Sequence, residues 1–576
     1  MLRRRLLLGV VMAAALLVAG RALSATYADY TWYRALGATA LWNERALDLI
    51  LIYAVGLAVS FGIALTNFST LASSIGALTL PRRLANVEFG EAVPRRYLDR
   101  FAVALALGVA LILMPLLPSW ESLALLRRRV AFQERDPYFH HDLAFYTTWL
   151  PFEKTVYMWL MLLVVTVALL VIALYSLTPG LRWDRSGLHM STLVRRHLSV
   201  LATVILLLTM WSYRLASYDL LIQTGAEPGF SYVDHQWLLP GLLILSIATA
   251  AAAATMLFSG WTGQLRTSFV AVTGVIILSI AVQEVVPLIV ERFTPAEAMA
   301  ASERPYAAMR AEFTQRAYDV PVVTREGGPG SVLAAGDTDE PGIEEWPSLQ
   351  QDSLVYPGAE GLLVVSDPQV DVAGQRLGTG LSRAAYAWAY QSVALLSDSL
   401  SHRGRIVTVR DVRRRLLALA PIFAQGNTAI PLFHADTLYW KVELYSASSD
   451  YPLSEARSFG GTERSYFRHA ATALINGRTA RVSFAPVGNP DPIAREWMRA
   501  FPHSADYRAA AVVRNLTPTP WDPGGPQVTG AADDSTFRAR VTRLYNAMRA
   551  ALAAGNLTAF SAAYDSLGAL IRPPRE

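Results

Sequence analysis

Seven strongly apolar stretches fill the first half of this 576-residue chain, and nothing else in it constrains the fold as tightly. They run over about residues 6–23, 47–67, 101–118, 156–177, 198–217, 236–259 and 268–291. A bilayer hydrocarbon core takes about 20 apolar residues per helix, so each stretch is long enough to cross one. The third, ending at Pro115 and Pro118, is among the shortest. Backbone polar groups in lipid have no water to bond, which makes the α-helix the expected form of such segments. The expected fold class is a seven-helix transmembrane bundle (residues 1–292) followed by an α+β extracytoplasmic domain (293–503). A linker (504–534) and a C-terminal helical pair (535–576) complete the expected layout.

Composition supports that division. The chain is 53% hydrophobic and 17% charged, against about 25% charged in a typical soluble protein. The apolar excess sits in residues 6–292, and 293–576 has an ordinary globular composition with room for a sizeable core. There is no cysteine, which excludes disulfides, thiol catalysis and cysteine-ligated metals. The net charge of +5 comes from arginine, since lysine occurs only at Lys154 and Lys441. In a membrane protein such a balance reads as cytoplasm-facing loops rather than a nucleic-acid surface, so no nucleic-acid partner is expected.

The arginines also set the expected orientation. With the N-terminus inside, the inner segments carry 13 basic residues, among them Arg3–Arg5, Arg82, Arg83, Arg95 and Arg96, and the opposite short loops carry seven. The bias places the N-terminus in the cytoplasm of a bacterial inner membrane and residues 293–576 outside. The run Arg127–Arg129 opposes it. The first stretch also reads as a signal peptide, with Ala22-Leu23-Ser24-Ala25 as a cleavage site. Its long apolar core favours retention, and cleavage would leave six spans with the same external domain. Tyr27, Tyr30, Trp32, Tyr33 and Trp42 cluster at the outer boundary, as interfacial rings do.

Polar groups inside spans are costly and become functional candidates. Gln283 and Glu284 lie about two-thirds along the last span, just before Pro287, and Arg214 lies near the outer end of the fifth. These three form a candidate intramembrane site. The structural alternative is a local pairing of Glu284, with Arg214 as partner.

The loop before the fourth span reads Asp136-Pro137-Tyr138-Phe139-His140-His141-Asp142-Leu143-Ala144-Phe145-Tyr146, then Leu150-Pro151-Phe152. After the last span come Pro295-Ala296-Glu297, Glu303-Arg304-Pro305-Tyr306 and Arg316-Ala317-Tyr318. Further on stand Tyr451-Pro452-Leu453-Ser454 and Asn489-Pro490-Asp491-Pro492-Ile493, with Trp497 following. In this order they resemble the motifs of a bacterial membrane family catalogued as uncharacterised protein family 0182. The resemblance implies seven spans and a large external domain, and it implies no activity. Family members are longer, which makes this chain a shortened member lacking regions around 325–352 and 504–534. Ala296 stands where the family has Asn, and Phe423-Ala424-Gln425-Gly426-Asn427 stands where acidic residues are expected.

On this resemblance Asp136, Pro137, Phe139, Asp142, Phe145, Tyr146, Pro151, Pro295, Glu297, Pro305 and Tyr306 are structural. The cluster Asp136, His140, His141 and Asp142 has metal-ligand residue types, but adjacent histidines point apart and no tetrahedral spacing is present. The external domain carries His402, His434, His469 and His503 without G-x-S-x-G, H-E-x-x-H, P-loop or G-x-G-x-x-G. Gly378-Thr379-Gly380 reads as a turn ahead of a helix. The residues name no catalytic group, metal or cofactor. Helices are expected over 381–400 and 409–424, the second with Arg410, Arg413, Arg414 and Arg415 on a solvated face open to anionic lipids. A strand is expected at 438–444, and a turn at Asn476-Gly477 between 467–475 and 478–484. The expected partners are the lipid bilayer, other membrane-protein subunits and anionic lipids. The expected role is an envelope scaffold or a subunit of a membrane assembly, against a transporter or lipid-handling protein and a membrane-bound hydrolase or transferase.

Overall fold

The computed structural model describes residues 2–77, 83–84, 87–88, 95–178, 180–184, 187–222, 229–319, 353–366, 371–434, 437–459 and 462–501. The region around 325–352, the expected linker at 504–534 and the helical pair at 535–576 lie outside the described residues. Helices α1 (Leu2–Ala35), α2 (Thr39–Ala77), α3 (Arg95–Ile112), α4 (Trp120–Arg127), α5 (Leu150–Ser176), α6 (Thr192–Asp219), α7 (Leu239–Thr262), α8 (Leu265–Ile280), α9 (Val286–Phe293) and α10 (Ala296–Tyr318) come first. Two short hairpins interrupt them, β1–β2 (Arg83–Leu84, Val87–Glu88) and β3–β4 (Leu181–Asp184, Gly187–Met190).

Among the described residues seven helical segments are long and apolar enough to cross a membrane: Gly9–Ala35, Thr39–Ser74, Arg95–Leu116, Phe145–Ser176, Thr192–Asp219, Asp234–Thr262 and Leu265–Phe293. Several outrun the apolar stretches, because aromatic and charged residues extend the helix beyond the apolar core. α1 continues unbroken through Ala22–Ala25 to Ala35. The third helix stops at Ile112 and passes into a short 3-10 turn, Met114–Leu116, at the first of the two prolines.

Three of the seven segments contain a wide π-helical turn: Phe145–Trp149, Asp234–Leu238 and Ala281–Val285. Each ends two residues before a proline, at Pro151, Pro240 and Pro287. A proline has no N–H to give and its ring crowds the carbonyl four residues back. Opening the preceding turn relieves that clash while the helix continues.

The remaining described residues form a mixed α+β region. β5 (Leu363–Val365), β6 (Gln375–Arg376) and β7 (Arg405–Val407) make a small antiparallel sheet in the order β5-β7-β6. Helices α11 (Leu381–Ala389) and α12 (Val412–Leu419) flank β7 in sequence. The larger sheet comprises β8 (Phe423–Gln425), β9 (Ile430–His434), β10 (Thr437–Ser448), β13 (Tyr466–Asn476) and β14 (Val482–Pro486), ordered β14-β13-β10-β8 with β9 on the β8 edge of β10. β11 (Arg457–Phe459) and β12 (Thr462–Arg464) form a separate hairpin, and α13 (Pro492–Ala500) follows.

The strand expected at 438–444 is the centre of β10, where Trp440, Val442, Leu444 and Ser446 alternate into the core. The Asn476 turn is a β13–β14 hairpin, its side-chain oxygen accepting from the Arg478 and Thr479 amides at 3.0 and 2.8 Å. Two helices are shorter than periodicity implied. α11 ends at Ala389 rather than 400, because Gln391 takes a left-handed φ of 51° and the chain turns into a 3-10 segment, Val393–Leu396. α12 covers 412–419 rather than 409–424. Asp411 caps it by accepting from the Arg414 amide, and 423–425 pair with β10 instead.

Two hydrophobic cores bind the helix ends to the α+β region. One joins Trp32, Tyr33, Leu41 and Trp120 to Val407, Leu416, Trp440 and Trp497. The other joins Leu143, Tyr146, Leu150 and Tyr218 to Phe313, Leu453, Tyr466 and Ile493. A third lies among the helices alone, around Phe68, Ala106, Leu163, Val167 and Leu201.

Candidate functional site

The loop before α5 holds its own backbone. Asp136 is fully buried, and its carboxylate accepts from the amides of Tyr138 (2.9 Å), Phe139 (2.5 Å) and His141 (2.8 Å). Asp142 accepts from the amides of Phe132, Gln133 and Ala144 at 3.0, 2.9 and 2.8 Å. Hydrogen bonds to a charged group are worth about 1.5–3 kcal/mol each, so both carboxylates are committed to shaping the loop. Pro137 starts its turn, His140 sits exposed at a left-handed φ of 59°, and His141 stacks on Phe145. Phe139 and Phe145 both meet the Tyr218 ring edge-on, Tyr146 is fully buried, and Pro151 lies in the first turn of α5. Among the described residues no three His, Asp or Glu side chains are grouped to hold a metal ion.

The segment after the last candidate span locks onto that loop. Pro295 precedes α10, and the exposed Glu297 lies in its first turn, where a carboxylate suits the helix dipole. Two residues before the interior Pro305, Glu303 accepts from Arg310 (2.7 Å) and from the Tyr232 amide (2.9 Å). Tyr306 shares a 2.8 Å hydrogen bond with His235. Tyr138 packs edge-on against Phe230 and donates to the Met309 sulfur at 3.6 Å; burial pushes its phenol up to about 12. Leu453 donates its amide to the Leu221 carbonyl (2.7 Å), and Tyr318 donates to the Glu455 carbonyl (2.9 Å). Asp491 caps α13 and accepts from Ser446 (2.6 Å), with burial raising its carboxyl. The motif-bearing segments, far apart in sequence, thus meet at one joint between helix ends and α+β region.

Comparison with known proteins agrees with those motifs. The model of the uncharacterised protein family UPF0182 matches residues 6–339 and 370–510. The chain belongs to that family. It is similar to a UPF0182 protein of Desulforamulus reducens, 32% identical over 226 residues that cover 38% of this chain and 24% of that protein. A UPF0182 protein of Rhodococcus erythropolis is 22% identical over 668 aligned residues, covering 87% of this chain and 68% of that protein. A UPF0182 protein of Mycobacterium bovis is 30% identical over 313 residues, covering 53% and 32%. The chain therefore spans about a quarter to two-thirds of the length of these relatives. No solved structure matches the chain.

In this UPF0182 protein the three polar span candidates do not come together. Gln283 and Glu284 occupy the π-helical turn before Pro287 and are both exposed; Gln283 donates to Ser279 at 2.6 Å. Arg214 lies over the Tyr218 ring, 5.8 Å from its centre, and among the described residues no ion pair joins it to Glu284. The expected pairing fails because Glu284 is on an outward face of its helix. Two other polar groups take its place. Glu153 is buried, with one oxygen bonded to the Trp149 indole (2.7 Å) and the other to the Trp211 indole (2.9 Å). At the far end of the same helices His197 bridges Asn67 and Tyr175, both at 2.9 Å. Between Glu153 and Tyr175, the buried positions of α5 are Trp159, Leu163, Val164, Val167, Ala168 and Val171. That packed apolar face separates the two polar ends.

A cleft of about 810 Å³ lies between α1–α2 and the α+β region. On its helix wall Asp29 accepts from the Trp42 indole (2.9 Å) and Arg45 (3.4 Å), while Arg45 also donates to the Tyr33 hydroxyl (3.1 Å). Tyr33 donates in turn to the Ala418 carbonyl (3.0 Å). On the opposite wall Arg410 donates to the carbonyls of Leu354 (2.8 Å) and Glu360 (3.1 Å), and Asp411 is occupied by the Gly358 and Arg414 amides. Burial raises the phenol of Tyr390, which donates to Gln375 at 2.8 Å. The Arg414 guanidinium lines the rim and is exposed. This lining can hold polar or anionic groups.

Arg415 reverses a sequence expectation. It is fully buried rather than solvated with its neighbours, because it points from α12 against Trp32 of α1. Its guanidinium donates to the carbonyls of Val409 (3.0 Å), Ala480 (3.0 Å) and Thr408 (2.8 Å). Burial alone pulls it down to about 10, leaving it charged at neutral pH. Of the histidines that follow the last candidate span, His469 bonds Glu443 at 2.7 Å and His402 is exposed; the side chains of His434 and His503 lie outside the described residues. Neither Glu153 nor Arg415 carried a motif signal. Glu153 could have been noticed as a carboxylate just ahead of an apolar stretch, with tryptophans four residues away and on the next helix.

Proposed function

We propose that this UPF0182 protein is a seven-span protein of the bacterial cytoplasmic membrane that holds an α+β platform on the outer face, serving as a scaffold or subunit of an envelope assembly. One observation carries the reading: the α+β region and the helix ends share two hydrophobic cores, with Trp32, Trp120, Tyr146 and Tyr218 buried against it. A region built into the helix ends this way presents a fixed surface rather than a tethered, mobile one. The arginine bias supports an outward platform, and its main objection weakens here. Arg127 and Arg128 pair with Glu44 and Asp48 at 2.5–3.1 Å, so their charge is neutralised locally. A transport role finds less support, since the apolar face of α5 separates Glu153 from the His197 cluster and Glu284 faces outward.

The test is extraction of the tagged, full-length protein in native-lipid particles, followed by mass spectrometry of what copurifies. Fixed stoichiometric protein subunits support the assembly reading. A preparation containing the protein alone, together with a solute flux that collapses on substituting Gln283 and Glu284, would overturn it in favour of transport. Because the chain has no cysteine, single-cysteine labelling of intact cells reads the orientation directly. Labelling of Arg478→Cys by an impermeant reagent places the platform outside.

A further inference from the structure

α11 and the 3-10 turn after it expose large apolar side chains that the joint does not use. Leu381 is 90% exposed and Val393 80%, with Trp388 and Leu396 also exposed. Isolated exposed apolar residues are ordinary, but four within 16 residues on one short segment form a patch. Its position along α1 is fixed by contact. Arg21 donates to the carbonyls of Trp388 (2.7 Å) and Ala389 (3.2 Å), closing the end of α11. Gly20 lies directly under Trp388, where a Cβ would meet the indole at 2.8 Å. About two turns further along α1, Tyr27 meets Tyr386 with ring centres 5.5 Å apart.

Those contacts set the depth. At 1.5 Å per residue the apolar run 6–23 covers about 27 Å, close to the ~30 Å hydrocarbon core. Residues 9–19 of α1 are exposed all round, as befits a helix surrounded by lipid. Gly20 and Arg21 therefore stand at the edge of that core, and whatever touches them stands there too. Beyond this edge α1 rises as a post into the cores of the α+β region, through Ala28, Trp32 and Tyr33.

We propose that the segment 381–396 lies in the headgroup–acyl boundary of the leaflet on the platform side, with Trp388, Val393 and Leu396 in contact with lipid. This rests on the reading of α1 as a membrane span. A tryptophan at this depth has the amphipathic ring that interfaces favour, and apolar neighbours inserted to the same level gain by leaving water. Arg21 and Arg383 lie at the same border; Arg383 is turned back onto the Ser397 and Leu400 carbonyls (3.0 and 2.7 Å), which leaves the apolar side chains outermost. Asp398 follows the patch rather than interrupting it. A second point of membrane contact, about 360 residues after the first in sequence, would fix the tilt of the platform on the bilayer.

The cysteine-free chain permits a direct test with the full-length protein in phosphatidylcholine–phosphatidylglycerol nanodiscs. Val393→Cys carries a bimane label, Leu16→Cys serves as the span reference, and Arg478→Cys as the aqueous reference. Shallow nitroxide lipids should quench the Val393 label several-fold more than the Arg478 label, and iodide should quench it several-fold less. Quenching by iodide equal to that at Arg478, with none from nitroxide lipids, overturns the proposal. Protection from both quenchers also overturns it, because a protein surface then covers the patch. Lipid quenching at Leu16 in the same preparation keeps the failure separate from that of the membrane reading. Leu381→Ser with Leu396→Ser alters only exposed positions; added to the labelled protein, the pair should raise iodide access at Val393.

Discussion

Replacing Arg415 by alanine tests the anchoring of the α+β region to α1 most sharply. The substitution takes donors from three carbonyls, those of Val409, Ala480 and Thr408, and removes the cation lying 5.7 Å from the Trp32 ring centre. Buried acceptors deprived of a donor cost about 1–3 kcal/mol each, and the ring contact adds about 1 kcal/mol. Removing a buried charge returns part of this, since its desolvation had opposed folding by several kcal/mol. The Trp32 indole, 3.4 Å from the Thr408 carbonyl, still serves that oxygen. The net expectation is a loss of about 3 kcal/mol, which for a region of this size lowers the melting temperature by roughly 6–12 °C. Thermal unfolding of the full-length protein in nanodiscs, followed by tryptophan fluorescence, measures it. Arg415→Lys, keeping the charge with a less suited geometry, should fall between alanine and wild type. If Arg415→Ala melts within about 2 °C of wild type, the guanidinium is not holding the two parts together, and the reasoning from its three bonds is wrong.

Asp136→Ala frees three backbone amides of the motif loop and should cost about 3 kcal/mol in the same melt, with Asp136→Asn retaining about half of the lost stability. Gln283→Ala with Glu284→Gln touches exposed groups and should shift stability by less than about 0.5 kcal/mol; a larger loss would mean that these side chains are packed. Glu443 accepts from His469, Lys441 and Thr472. Although burial opposes it, those partners lower its carboxyl from 4.5 to about 2. A carboxylate held low stabilises the fold above its unfolded value of 4.5, and that contribution disappears as pH falls from 4.5 toward 2. Glu443→Gln should therefore flatten the pH dependence of the melting temperature across that window, with little change in its slope above pH 5.

The candidate site was legible only in part. Asp136 and Asp142 stood out as paired carboxylates in a short loop, and local Asp-to-amide bonding is a near-neighbour effect that a motif can record. Glu284 stood out because it is charged inside an apolar stretch. Whether such a group faces a partner or faces outward depends on helix rotation, which the π-helical turn at 281–285 resets. Arg415 was read with its neighbours as a solvated face. The third arginine in a row cannot be told from the other two until α1, nearly 400 residues earlier, lays Trp32 against it.

The seven long apolar helices, the strand alternation around Trp440 and the motifs of the family follow from the sequence by itself, because each depends on residues close in the chain. Helix length in a span, the two-residue period of a strand and a side chain bonding its own loop are local physics. What only the tertiary structure decided is the meeting of distant parts: the motif segments at one joint, Arg415 under Trp32, and Trp388 beside Gly20. Packing between remote elements is set by shape and by the burial of shared apolar area, and no periodicity in the sequence encodes which surfaces will share it.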